Sequence, residues 1–403
     1  MNAMSVSIGD IEIGVLEHFD DETECFTFNE QYLSATLENR PVLGQLFEDR
    51  LPNPIAVGGP IGWFAHLLPQ GAMRHWRSKL YGIDDDDSFS LLSHLGDNLP
   101  GAVVLRQTEA LSRGSRSTAK SAHNVAVVGD ERFRFSLAGA QWKMSARSSS
   151  RGLTTNANAS GIEYIAKFHS HEFPNLPECE FSTMTWARAA GVKTPDFELR
   201  NVSDFDEVPE AMPTGNGRVY VCRRFDRVDE SRIHMEDFGQ ILDRPPGHEQ
   251  YRGSYEQIAR VLRWIAPGSI EDLLTLFVFN LVSGNGDAHL KNFSILYTDG
   301  RTATLAPAYD LVSTIVYYTT GGERLALKLS GNDLFSKISL EQFRSLFEGI
   351  GWDFQKGCAY VVDATKKVVS AWNQAHVQEN YSQSQRARLD LHVGAMQRQL
   401  RSS

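Results

Sequence analysis

Asn285-Gly286-Asp287-Ala288-His289-Leu290-Lys291-Asn292, followed a short way downstream by Pro307-Ala308-Tyr309-Asp310, is the stretch on which the reading of this chain turns. It offers an acid, an amide five residues later, and a second acid beyond a short strand and turn. Phosphoryl transfer asks for such a set, because its transition state spreads negative charge that the protein meets by positioning groups and metal ions. One carboxylate has to orient or deprotonate an attacking hydroxyl, and Asp287 is the candidate. Magnesium takes oxygen ligands, one or two from protein and the rest from phosphates and water, so Asn292 and Asp310 suit it as a pair. The octapeptide alone reads equally well as a turn, since Asn-Gly and Gly-Asp are common turn dipeptides.

The flanks move that balance. Residues 271–282 are almost continuously apolar, with Ser269-x-x-Asp272 as a capping-box-like start and Gly284 as a stop. A helix apolar all round is a buried one, so it delivers Asp287 from a rigid core. Phe293-Ser294-Ile295-Leu296-Tyr297 then reads as a strand returning toward Asp310. The Asp-x-x-x-x-Asn spacing matches a protein-kinase catalytic loop, and Tyr309-Asp310-Leu311 stands where Asp-Phe-Gly would be.

At 403 residues the chain supports two or three domains and a large core. Its net charge of -10 argues against a dedicated nucleic-acid binder, which needs a basic surface to displace counterions. The 4 cysteines, Cys25, Cys179, Cys222 and Cys358, lie far apart with no metal-ligand spacing, and read as free thiols of a reducing cytoplasm. No stretch approaches the roughly 18 apolar residues of a membrane span, and the N-terminus has no basic segment leading an apolar run.

Along the chain, residues 1–106 read as a separate α+β unit, 107–130 as a small, polar linker, 131–226 as a nucleotide-binding lobe and 227–403 as a mainly helical lobe. In the first unit residues 6–16 alternate as a strand that Gly9-Asp10 can fold into a tight turn, and Phe64, Leu67 and Leu68 fall at helical spacing. The acidic run 84–87 fits a solvated turn and helix start better than a metal site, since consecutive side chains do not converge on one ion. Arg132-Phe133-Arg134-Phe135-Ser136 alternates as a strand, Leu137-Ala138-Gly139-Ala140-Gln141 supplies small residues at a turn, and Lys143-Met144-Ser145 can return. Small side chains let backbone amides approach phosphate oxygens, although an ordinary hairpin explains the segment equally well.

Residues 162–169 form a second alternating strand with Lys167 in Tyr-Ile-Ala-Lys, near to the Val-Ala-Ile-Lys strand whose lysine holds ATP phosphates. Residues 178–191 read as a helix, from which Glu178 or Glu180 can pair with Lys167. Val219-Tyr220-Val221-Cys222-Arg223-Arg224-Phe225-Asp226 is then a strand and hinge along which adenine stacks. Beyond it, Ser254-x-x-Gln257 and Ser339-x-x-Gln342 open helices, residues 325–329 form a strand, and 384–401 an amphipathic helix carrying four arginines.

Together these motifs carry a resemblance. Leu67-Leu68-Pro69-Gln70, the 135–141 run Phe-Ser-Leu-Ala-Gly-Ala-Gln, Phe-Pro-Asn-Leu-Pro at 173–177, Arg-Phe-Asp-Arg at 224–227, Met-Glu-Asp-Phe at 235–238 and Gly-Asp-Ala-His-Leu-Lys-Asn-Phe-Ser at 286–294 stand in this order. The sequence resembles the HipA family of bacterial serine/threonine kinases, toxins of type II toxin-antitoxin pairs.

The resemblance implies an α+β, bilobal protein-kinase-like fold with an added N-terminal α+β subdomain, related also to lipid kinases. By carry-over Asp287 is the catalytic base, Asn292 and Asp310 bind Mg2+, Lys167 contacts ATP phosphates, and Leu137, Ala138, Gly139, Ala140, Gln141, Trp142 and Lys143 form the phosphate loop. Arg223, Arg224, Phe225, His289, Lys291 and Tyr309 complete the nucleotide site, and Ser136 falls on the regulatory autophosphorylation position, where a phosphate would repel a loop built for ATP. The implied substrate is a protein serine or threonine, with aminoacyl-tRNA synthetases the target class. The implied partner is a small helix-turn-helix antitoxin, HipB-like, through which the kinase reaches DNA. Trp142 replaces the acid usual in Gly-Ala-Gln-Glu-Lys, and Arg223 stands where the hinge often has glutamate. A small-molecule or lipid phosphotransferase shares the Asp, Asn and Asp set, and a non-catalytic corepressor would keep the fold.

Overall fold

Period-two patterning near the N-terminus produces an antiparallel hairpin, Asn2–Ile8 and Ile11–His18, turned at Gly9 with φ 57°. The computed structural model describes residues 2–108, 142–149, 152–154, 161–206, 208–209, 212–229, 231–318 and 323–401. Thr23–Phe28, Ile55–Gly58 and Val103–Thr108 extend the hairpin to five antiparallel strands, the last beside the first. One face of the sheet packs on Phe26, Phe47, Trp63 and Phe64, whose rings meet edge-on or tilted. Residues 64–68 do not make the helix their spacing suggests. A single turn, Gly62–Ala65, ends just before Leu67-Leu68-Pro69, and the longer helix Gly71–Tyr81 begins after Gln70. Proline at 69 cannot supply the amide that a continuing helix would need. The acidic run is a helix start: Asp87 accepts from the Ser90 amide at 2.9 Å and caps Ser88–Leu95.

A second antiparallel sheet runs Gly152–Thr154, Lys143–Ser149, Glu163–Lys167, Arg218–Arg223, Phe197–Asn201. Its register sets Lys143, Lys167 and Tyr220 directly opposite one another, one row across three strands and so on one face. Leu176–Ala189 covers this sheet and is also fixed to the helical lobe. There Trp186 donates to the Val368 carbonyl at 2.8 Å and lies against Trp372, while Thr183 Oγ1 accepts from the Ser313 amide at 3.1 Å and meets the Tyr381 hydroxyl at 2.6 Å.

The helical lobe is built round Ile270–Ser283, buried over nearly its whole length and capped at Gly284 with φ 67°. Tyr255–Ile265, Phe354–Trp372 and Gln383–Gln399 surround it. Ser254 forms its capping box with Gln257. Ser269 does not cap the central helix; a short 3-10 turn, Pro267–Ser269, precedes it, and the Ser269 hydroxyl accepts instead from the Leu305 amide at 3.1 Å. Ser339 boxes with Gln342 as expected, opening a 3-10 turn, Leu340–Phe343, that runs into the helix Arg344–Ile350. No helix among the described residues is long and apolar enough to cross a membrane. All 4 cysteines are free thiols.

The N-terminal unit joins the rest through buried charge. Asp226 accepts from Arg224, from Arg227 at 2.8 Å and from the Gly101 amide at 2.9 Å, while Arg227 also donates to the Leu99 and Gly101 carbonyls. Burial pushes the Asp226 carboxyl up, but the two guanidiniums outweigh it and hold the group well below the usual carboxylate range. Asp226→Asn weakens three charge-assisted bonds, two from Arg224 and one from Arg227, and denaturant unfolding should show a loss of at least about 1.5–3 kcal/mol.

Candidate active site

Lys167 ends the strand Glu163–Lys167 with its amine almost fully buried, and donates to Glu180 Oε1 at 2.5 Å and to Asp310 Oδ1. Of the two glutamates considered for it, Glu180 takes the part; Glu178 accepts instead from Asn216 at 2.6 Å. Burial raises the Glu180 carboxyl, and the charge of Lys167 opposes that. Asp310 adopts a left-handed conformation, φ 56°, one that aspartate tolerates better than most residues.

Lys143, opposite Lys167 in the sheet, is equally buried but makes no hydrogen bond or ion pair among the described residues. Burial, then the like charge of Lys167, lowers its amine to about 7. A desolvated ammonium facing a cavity suits an incoming anion. The sign of its pH effect follows. Between about 7 and the ordinary 10.5 the unfolded chain holds the proton that the folded one has released, so stability rises with pH across that window. The slope is at most about 1.4 kcal/mol per pH unit, and Lys143→Met should remove it when melts of ligand-free wild type and variant are compared from pH 7 to 10.

The loop at 285–292 is pinned through its backbone. Asn285 Oδ1 accepts from the Asp287 amide at 3.1 Å, Thr314 Oγ1 from the Gly286 amide at 2.8 Å, and the Asp287 carbonyl accepts both the His289 amide at 2.8 Å and Asn292 Nδ2 at 2.9 Å. Gly286 has to be glycine, since a Cβ there would lie 2.7 Å from the Arg324 carbonyl. The Asp287 carboxylate stays 67% exposed, 4.0 Å from His289 Nε2. Its main chain is fixed while its acid group remains free to meet a hydroxyl.

One cavity of about 1180 Å³ gathers Lys143, Lys167, Asp287, Asn292 and Asp310. Trp142, Arg223, Phe225, His289 and Tyr309 line it as well. Tyr309 is set by bonds to Ser294 Oγ at 2.5 Å and the Lys291 carbonyl at 2.8 Å, with its ring 5.5 Å from that of Phe225. Two expected ligands have their side chains committed elsewhere. The Arg224 guanidinium is held by Asp226, and the Lys291 amine by Asp237 at 2.6 Å and the His66 carbonyl at 3.0 Å. Arg223 reaches toward Asp196 at 3.8 Å. Ser136 and Leu137, Ala138, Gly139, Ala140 and Gln141 lie outside the described residues.

Asp237 and three residues of the cavity wall, His66, Gln70 and Tyr251, escaped the sequence reading. Asp237 had a signal: it sits in the Met-Glu-Asp-Phe motif and caps the helix Phe238–Ile241 in a box with Gln240. The fit to magnesium is good. With Asn292 Nδ2 spent on the Asp287 carbonyl, its side-chain oxygen remains for a metal, and Asp310 supplies a carboxylate. Among the described residues no group of three or more His, Cys, Asp or Glu makes an all-protein metal cage.

An α+β, bilobal, kinase-like fold with lysine, glutamate and two separated acids around one cavity defines the class. Comparisons with known proteins agree. Residues 4–106 match the HipA N-terminal domain and residues 135–372 the HipA-like C-terminal domain. The chain belongs to the HipA family of kinases. It is 33% identical over 343 residues, 83% of this chain and 82% of the relative, to Y4dM of Sinorhizobium fredii, provisionally named a kinase. It is 23% identical to the serine/threonine-protein kinase toxin HipA of Shewanella oneidensis over 384 residues, 86% of this chain and 83% of that one. The structure of Shewanella oneidensis HipA with HipB and operator DNA shares the fold, with a TM-score of 0.69 at 18% identity over 98% of this chain and 96% of that one.

Proposed function

We propose that this protein is an ATP-dependent serine/threonine protein kinase that acts as the toxin of a bacterial toxin-antitoxin pair. The observation that carries the reading is the buried Lys167–Glu180 pair reaching Asp310 in the cavity that Asp287 and Asn292 line. Lys167 presents an ammonium group to the nucleotide's phosphates, and Lys143 an amine that an incoming anion would keep protonated. The hinge beside Arg223 and Phe225 offers its backbone to adenine. Asn292 and Asp310 would hold magnesium, which supplies charge neutralisation at the phosphates when bound. Asp287 orients the attacking hydroxyl and takes its proton.

Support for a toxin role comes from the serine/threonine kinase toxin among the relatives, and for an antitoxin partner from the neighbour crystallised with HipB and operator DNA. By resemblance the substrate is an aminoacyl-tRNA synthetase, and Ser136 is the site of self-phosphorylation. Phosphoproteomics of cells expressing wild type beside Asp287→Asn tests this. New phosphoserine or phosphothreonine on Ser136 and on a cellular protein, confined to the wild type, is expected. Incubation of the purified protein with labelled ATP and cell extract, giving label only on a small metabolite, would overturn it.

A further inference from the structure

The face of the N-terminal unit that meets the helical lobe reaches the catalytic loop directly at His66 and, four residues on, indirectly at Gln70 through Tyr251. At the first, the His66 carbonyl accepts the Lys291 amine at 3.0 Å, and the His66 imidazole bonds the Arg244 carbonyl at 2.8 Å, so the acceptor is itself anchored. At the second, Gln70, 8% exposed, accepts the Tyr251 hydroxyl on Oε1 and donates from Nε2 to Gln250 at 2.9 Å. The Tyr251 ring lies 4.7 Å from the His289 ring, and His289 Nε2 lies 4.0 Å from Asp287 Oδ1. His66, Gln70, Tyr251, His289 and Lys291 line the same cavity as Asp287. Burial, followed by the charge of Asp287, raises the Tyr251 hydroxyl, so that phenol stays protonated and donating.

We propose that the N-terminal unit is a working part of the active site, with Gln70 and Tyr251 as positioning residues that hold Asp287 through His289 while the His66 carbonyl holds the same loop through Lys291. The proposal rests on the kinase reading for its effect on rate, and on geometry alone for its effect on the loop. The Asp287 carboxylate is exposed and accepts no hydrogen bond among the described residues, so the His289 ring 4.0 Å away, itself packed at a tilt on Tyr251, is the neighbour through which its direction would be limited. A loop displaced by an ångström at the reacting group loses rate without losing nucleotide.

Hydrogen exchange by mass spectrometry over residues 285–293 and steady-state kinetics, run on the full chain, test it together. Gln70→Ala and Tyr251→Ala should speed exchange in that segment and lower kcat about ten- to a hundredfold, with KM for ATP within about twofold. Gln70→Glu keeps an acceptor for the Tyr251 hydroxyl and should restore protection. Arg50→Ala breaks an exposed junction between the same two units, Arg50 with Asp243 at 3.1 Å, and should change neither readout. Unchanged exchange over 285–293 in both alanine variants overturns the proposal, as does an equal increase in Arg50→Ala. A wild type that transfers no phosphate would sink the kinase reading while the exchange result still decides the clamp.

Discussion

Asp287→Asn should lower phosphate transfer to protein by about 10²–10⁴-fold, the range that a positioned general base contributes. Stability should hardly move. The carboxylate is 67% exposed and the His289 imidazole, whose pKa burial lowers, lies 4.0 Å away, whereas the bonds that shape the loop are made by the Asp287 main chain. Exposed substitutions of this kind stay within about 0.5 kcal/mol. Transfer of labelled phosphate and a thermal melt on the same preparations check both halves. A variant with full activity would remove Asp287 from the chemistry, and one that is inactive but unfolded would say nothing for a base.

Lys167→Met should act on both activity and folding. The amine is the cation shared by Glu180 and Asp310, and Glu180 is completely buried. Removing it leaves an acid in the interior with no hydrogen-bond donor among the described residues and only the more distant charge of Lys143, a change that typically costs about 3–5 kcal/mol. Burial already raises the Glu180 carboxyl with the lysine present, and without it the group rises further. A carboxyl whose folded value lies above its unfolded one stabilises the fold below the unfolded value and loses that contribution as pH climbs. The deficit in Lys167→Met should therefore be smaller near pH 5 than near pH 8, measured by urea unfolding. Adding Glu180→Gln should recover much of the stability and none of the activity. Recovery of both would mean that the pair serves the fold alone.

The sequence reads clearest where one residue type has one physical job. Period-two patterning exposed the strand of Lys167, the near-continuous apolar run exposed the central helix, and the oxygen-bearing side chains at 287, 292 and 310 do share one cavity. Choosing Glu180 over Glu178 needed the structure, because both lie at the start of one helix and only the sheet beneath decides which faces Lys167. Arg224 and Lys291 look in sequence like free cations. Their partners, Asp226 two residues away and Asp237 far upstream, become visible only when burial shows that neither charge could stand alone. The contacts of His66 and Gln70 span 225 and 181 residues to Lys291 and Tyr251, beyond the reach of any local pattern.

The anchorage of Leu176–Ala189 bears on how such an enzyme can be switched. With the Trp186 indole seated on the Val368 carbonyl and Thr183 tied to both Ser313 and Tyr381, the segment bearing Glu180 is fixed to the helical lobe along its C-terminal half. Swinging it outward would expose an indole and orphan several polar atoms, so opening the ion pair at Lys167 by that route carries a cost. Control by toggling that helix would have to meet that cost, whereas a regulator acting on nucleotide access or on the hold on the Asp287 loop would leave those contacts intact.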